Sequence, residues 1–189
     1  MEEKKKMLAG EWYDANYDNT LKEERIRAKD LCFDLNHTKP SDIEQRLKIL
    51  NSLFNNAYSN IEILSPFMVD YGYNITLGDN VFINHDCYLM DCASISIGDN
   101  TFIGPKCGLY TANHPLYATT RNKGLEQALP IIIGNNVWLG ANVIILPGVT
   151  IGDGVVVGAG SIVTQSISDN QLVIGAPAKV VKSINDDEN

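Results

Sequence analysis

The chain has 189 residues, of which 44% are hydrophobic and 20% charged, with a formal net charge of −8. That length suits one principal domain with a modest appendage, and the composition is that of an ordinary folded protein, not a disordered one. The negative balance argues against nucleic acid or an anionic membrane as partner, and no apolar run approaches the roughly 18 residues of a membrane span.

The opening Met1-Glu2-Glu3-Lys4-Lys5-Lys6 is charged with no apolar stretch behind it, so no secretion signal is expected and the cytoplasm is the default compartment. Cys32, Cys87, Cys92 and Cys107 form no C-x-x-C pair and are read as reduced, packed thiols. Leu21, Ala28, Leu31, Cys32 and Leu35 recur at helical spacing. Ser41-Asp42-Ile43-Glu44 has the form of a capping box, and Ile43, Leu47, Leu50 and Phe54 carry one apolar face onward. Pro40 separates this helix from the one before it. Residues 1–57 are therefore read as a cap of two or three short amphipathic helices, covering strand edges that would otherwise be bare.

From about residue 58 the period changes. I-T-L-G-D-N (75–80), I-S-I-G-D-N (95–100), I-I-I-G-N-N (131–136) and V-T-I-G-D-G (149–154) set their glycines 20, 36 and 18 residues apart. Inside that spacing runs a beat of six, an aliphatic residue followed by a small or turn-forming one. Six residues suit one short strand plus a turn, and three such units make a coil of 18, so 58–184 is predicted to be a parallel β-helix with three-sided coils. The coils are drawn as 77–94, 97–114, 133–150 and 151–168. Ile83, Leu89, Ile103, Leu109, Leu139, Ile145, Val157 and Val163 should point inward and stack. The Gly, Asn and Asp that follow are read as turn formers tolerating φ > 0. Residues 115–132, with Pro115, Asn122, Gly124 and Pro130, break the beat as an extruded loop, where functional residues concentrate. After Val173-Ile174-Gly175-Ala176-Pro177 a short strand or helix ends the solenoid, and 185–189 form an acidic tail.

Two phrases, Tyr110-Thr111-Ala112-Asn113-His114-Pro115 and Asn135-Asn136-Val137-Trp138-Leu139-Gly140, join Met7-Leu8-Ala9-Gly10-Glu11 and Asn36-His37 in the cap. With them the chain resembles, over nearly its whole length, the hexapeptide-repeat sugar O-acetyltransferases, which include the maltose, galactoside and Nod-factor acetyltransferases. The resemblance implies a left-handed β-helix, a homotrimer with sites in the clefts between subunits, acetyl-CoA as co-substrate, no metal, and a sugar acceptor. Handedness comes from the resemblance alone, since the usual crossover rule would give the opposite hand. Asp70-Tyr71-Gly72-Tyr73-Asn74 is nearer the maltose-type phrase, because galactoside-type members carry serine where Asp70 stands, so a maltose- or glucose-like acceptor is expected.

Moving an acetyl group from a thioester to a hydroxyl requires a base, donors for the developing oxyanion, and alignment of the two substrates. Of three histidines, His37 falls in the cap, His85 sits beside Asn84 on a coil, and His114 stands where the loop leaves. The resemblance makes His114 the base and Asn84 the residue near the reacting hydroxyl and the developing charge. It assigns Asp14, Arg25, Asp70 and Asp91 to the acceptor, whose hydroxyls they would bind by directed hydrogen bonds; a solvated acidic surface is the alternative. Glu126 either contacts the acceptor or orients His114. Trp138 packs on the pantetheine arm of the donor or at the trimer interface, and Ala141, Ala159 and Gly160 allow close approach and lend N–H groups. Thr164, Lys179 and Lys182 lie near the nucleotide, and Gln165 departs from the lysine that close relatives often carry. Direct transfer in a ternary complex, to the 6-hydroxyl, is expected. The alternative on the same fold is a γ-carbonic-anhydrase-like metal lyase, which uses three histidines across an interface; here only His85 and His114 lie on the coils and no H-x₄-H pair occurs.

Overall fold

The computed structural model describes residues 2–184, so the expected acidic tail lies outside the described residues. The six-residue beat becomes strands of mostly two to four residues, each sending one or two aliphatic side chains inward before the chain turns. Three parallel sheets result. The first holds Ile75–Leu77, Ile95–Ile97, Ile131–Ile133 and Thr150–Ile151. The second begins with Ile61–Ile63, Val81–Ile83, Phe102–Ile103, Trp138–Leu139 and Val156–Val157, and ends in an antiparallel hairpin of Gln171–Gly175 with Ala178–Ser183. The third holds Phe67–Val69, Cys87–Met90, Gly108–Tyr110, Ile144–Ile145 and Ile162–Val163. Together they form a left-handed parallel β-helix.

Register stacks Ile83 on Ile103, Leu139 and Val157, and Leu89 on Leu109, Ile145 and Val163. All eight of these expected inward residues are buried. Parallel strands buried this way favour an unbroken aliphatic column, which is what the beat of six supplies.

The coils are not all 18 residues long. Ile75 pairs with Ile95, Ile95 with Ile131, Ile132 with Thr150 and Ile151 with Ile167, offsets of 20, 36, 18 and 16. Steps from the first sheet to the second, and from the second to the third, stay at six residues, as in Ile75 to Val81 to Cys87. The variation therefore falls at one corner, where the third sheet returns to the first. This third corner spans eight residues from Cys87 to Ile95, 24 from Cys107 to Ile131, and six from Val143 to Val149.

The first glycine of each repeated phrase (Gly78, Gly98, Gly134 and Gly152) serves close approach, contrary to the expected role in φ > 0 turns. Positive φ falls two residues later, at Asn80 (56°), Asn100 (53°) and Asn136 (56°). At Gly98 a Cβ would lie 2.6 Å from Asn135 Oδ1 and 2.7 Å from the Gly134 carbonyl group of the next coil. The same side chains form a ladder along this edge: Asn135 Oδ1 accepts from the Asp99 N–H at 2.9 Å, and Asp153 Oδ1 from the Asn135 N–H at 2.7 Å.

Three helices, α1 (Glu3–Leu8), α2 (Asn19–His37) and α3 (Ile43–Phe54), precede the coils. Ala28, Cys32 and Leu35 of α2 and Ile49, Leu50, Leu53 and Phe54 of α3 join one core with Ile63, Phe67 and Val69, which closes the open end of the solenoid. The helix α3 is capped by Asp42, which accepts from the Gln45 N–H at 3.3 Å, in place of the expected Ser41. Its buried face is rotated accordingly, leaving Ile43 74% exposed along a groove with Pro40, Leu47 and Ile61.

The extruded segment contains α4 (Ala118–Arg121) and the strand Leu125–Ala128. It closes two residues earlier than expected, because Ile131 already pairs with Ile95. Leu125–Ala128 lies between Ala112–Asn113 and Tyr13–Asp14, antiparallel to both, so the loop is stitched to the start of the chain. All four cysteines are buried and unbridged. Among the described residues no helix is long and apolar enough to cross a membrane.

Candidate active site

The third corner, where coil length varies, gathers most of the polar side chains singled out in the sequence. Its shape is set by Asp91. That carboxylate is fully buried and accepts from the N–H groups of Tyr71 at 2.8 Å, Asp70 at 3.1 Å and Asn74 at 3.3 Å. Burial pushes its pKa up to about 7, against the pull of those N–H groups. Asp91, expected at an acceptor, has both its oxygens on the backbone of the corner, where it holds Asp70–Asn74 in place.

Asp70, nearly buried, accepts from the Tyr88 hydroxyl at 2.7 Å through Oδ1 and from Cys92 Sγ at 3.5 Å through Oδ2. The Tyr88 ring meets Tyr110 edge-on at 5.9 Å. Arg25 reaches in from α2, donating at 2.6 Å both to the Tyr71 hydroxyl and to the Ala15 carbonyl. Asp14 Oδ1 accepts from the Asn16 and Tyr17 N–H groups, and the Asp14 N–H donates to Glu3 Oε2 at 2.6 Å. An apolar cluster of Met7, Tyr13, Leu21, Tyr71, Cys92 and Ala128 packs beneath these groups.

His114 follows the strand Ala112–Asn113 and is half-exposed. Its Nδ1 lies 3.0 Å from the Leu125 carbonyl. A carbonyl only accepts, so Nδ1 carries a proton, and in the neutral ring Nε2 is left with the lone pair. Nε2 faces Glu126 Oε2 across 3.9 Å, while Glu126 Oε1 accepts from the Tyr13 hydroxyl. The structure thus brings Asp14, Arg25, Asp70, Glu126 and His114 to one corner.

Asn84 is elsewhere. It lies at the second corner, between the second and third sheets, where backbone bonds from Lys106 to His85, Asn142 to Pro105 and Gly160 to Ala141 stack one turn on the next. Asn84 Oδ1 accepts from the His85 N–H at 2.8 Å. Ala141, Ala159 and Gly160 share this corner. The Gly160 N–H already donates to the Ala141 carbonyl, so it has none to lend, whereas the Ala141 and Ala159 N–H groups make no hydrogen bond among the described residues. Trp138 sits on the second sheet, 57% exposed and in register with Phe102 and Val156. Thr164 and Gln165 belong to the third corner, and Lys179 and Lys182 to the closing hairpin, opposite Ile174 and Leu172.

The other histidines are tied down locally: His37 Nδ1 contacts the Phe33 carbonyl at 2.8 Å with its ring stacked on Phe33, and His85 Nδ1 contacts the Ser65 carbonyl. Among the described residues no group of three or more His, Cys, Asp or Glu is arranged to hold a metal ion. Tyr13, Tyr71, Tyr88 and Cys92 take part in the corner although the sequence did not single them out for it. The available signal was the 20-residue spacing, whose two extra residues per coil fall here.

Comparison with known proteins bears on the same regions. Residues 6–57 match the maltose acetyltransferase hexapeptide capping motif, 94–110 the hexapeptide repeat of succinyl-transferase, and 130–165 the six-repeat bacterial transferase hexapeptide. A Staphylococcus haemolyticus protein provisionally named an acetyltransferase is 58% identical over 188 residues, covering 100% of this chain and 98% of its own. The crystal structure of a maltose O-acetyltransferase from Clostridium difficile 630 superimposes with a TM-score of 0.95 at 46% identity, covering 98% of this chain and 99% of that one. A hexapeptide-repeat acetyltransferase from Vibrio cholerae, solved with acetyl coenzyme A, gives 0.90 at 36% identity over 98% and 100% of the two chains.

Proposed function

The chain belongs to the hexapeptide-repeat sugar O-acetyltransferase family, and from that premise we propose that it transfers acetyl from acetyl-CoA to a hydroxyl of maltose, glucose or a related sugar, at the 6-position. The observation that carries this reading is the set of His114: Nδ1–H is committed to the Leu125 carbonyl, and Nε2 faces Glu126 Oε2 at 3.9 Å.

Acetyl-CoA supplies the activated thioester. His114 Nε2 takes the proton of the sugar hydroxyl as its oxygen bonds to the thioester carbonyl carbon. Asn84 and a corner N–H, that of Ala141 or Ala159, hold the oxyanion as the carbonyl electron pair moves onto oxygen. On collapse the C–S bond breaks, and His114 returns its proton to the departing thiolate. Asp14, Arg25 and Asp70 align the sugar by hydrogen bonds, and no acetyl-enzyme forms. Trp138 offers an apolar face to the pantetheine arm, while Thr164, Gln165, Lys179 and Lys182 lie toward the nucleotide.

His114 and Asn84 occupy different corners of the prism, and the reading joins them through a second copy that brings its second corner to the third corner of the first, in the homotrimer with shared clefts that the family resemblance implies.

The test is an acceptor panel with acetyl-CoA, followed by thiol release and by NMR location of the acetyl group. Maltose and glucose should be acetylated on O6. Thiol release that no sugar stimulates would sink the proposal.

A further inference from the structure

Tyr13 sits on the two-residue strand Tyr13–Asp14, directly opposite Glu126 in the antiparallel pairing. Its ring is fully buried, and a phenylalanine would fill the same space. A hydroxyl taken out of water needs a partner, and its partner is Glu126 Oε1. The other oxygen of Glu126 lies 3.9 Å from His114 Nε2, and the residue before Glu126 supplies the carbonyl that holds His114 Nδ1 at 3.0 Å. One strand, Leu125–Ala128, therefore faces both nitrogens of the imidazole, and Tyr13 fixes that strand and its carboxylate together.

We propose that Tyr13 is a positioning residue for acetyl transfer: its hydroxyl engages one oxygen of Glu126 so that the other is presented to His114, where it stabilises the imidazolium formed when the sugar hydroxyl gives up its proton. The inference rests on His114 being the base. It also assigns Glu126 to the histidine, the choice that sequence left open. Burial, with Cys92 and Glu126 adjacent, pushes the Tyr13 hydroxyl far above its usual pKa, so it stays a neutral donor. Tyr13 is fully buried in the chain, so the proposal routes its effect through Glu126.

The experiment compares wild type, Tyr13→Phe, Glu126→Gln and the double variant in steady-state transfer from acetyl-CoA to maltose, at a temperature where circular dichroism shows all four folded. Loss of a hydrogen bond to a charged group should lower kcat about 10–100-fold in Tyr13→Phe, with both KM values within about threefold of wild type. Glu126→Gln should lose at least as much, and the double variant no more than Glu126→Gln, because nothing remains for Tyr13 to position. A wild-type kcat in Tyr13→Phe, a change confined to KM, or fully additive losses would overturn the inference. A wild-type protein that transfers no acetyl would bring down the underlying function, whereas His114→Ala silent beside an unaffected Tyr13→Phe would remove only the role of Tyr13.

Discussion

At Asp91 burial and hydrogen bonding act on one carboxylate in opposite directions, and burial prevails, leaving its pKa at about 7. The unfolded chain releases this proton near pH 4 and the folded chain only near pH 7, so the contribution to stability is complete below about pH 4, falls as pH rises through 7, and is level above it. Asp91→Asn removes that titration. Melting followed from pH 4 to 8 should show wild type losing a few kcal/mol relative to Asp91→Asn across this window; parallel profiles would refute the assignment. Asp91→Ala strands three corner N–H groups and should cost roughly 2–4 kcal/mol, read by urea denaturation. The family resemblance placed Asp70 and Asp91 in one class, as residues that contact the acceptor. What separates them is which way each carboxylate turns inside an eight-residue corner, and no local pattern encodes that. The Tyr13–Glu126 bond was equally hidden, since it joins residues 113 positions apart.

The coils were readable because burial repeats with a fixed period, and every inward residue expected from the beat of six is buried. Their glycines were read as turn formers, which holds for some positions and not for others. Gly98 accommodates the neighbouring coil, whereas Gly160, at φ +73°, has nothing within 4 Å of an added Cβ. Gly98→Ala should therefore cost about 3 kcal/mol through steric conflict with the next coil, and Gly160→Ala about 1 kcal/mol for left-handed backbone alone. Thermal unfolding of the two variants checks the order, and equal losses would contradict it. The cap was less readable: Ser41 and Asp42 both suit an N-cap, and only the docking of Ile49, Leu50, Leu53 and Phe54 on the first coil decides the phase of α3.

Taken as one body, the protein carries the two residues proposed for the chemistry on two edges of a prism, His114 on one and Asn84 on another. Family resemblance named both residues, but their separation needed the corner geometry, because the repeat alone makes all three corners look alike. The proposed shared cleft has a direct consequence. His114→Ala and Asn84→Ala, each nearly inactive alone, should regain about one quarter of wild-type activity when unfolded and refolded together at equal amounts, since a random trimer pairs intact His114 with intact Asn84 in one cleft of four. Absence of any recovery would place both residues in the same chain's site. The loop and the N-terminal strand matter at this scale too, because Leu125–Ala128 joins them into the wall that carries His114 and Glu126. The most direct test of acetyl transfer by His114 is kcat for acetyl-CoA and maltose in His114→Ala, with the oligomer verified by light scattering. Turnover should fall roughly 10²–10⁴-fold in an intact trimer; near wild-type turnover would contradict the account.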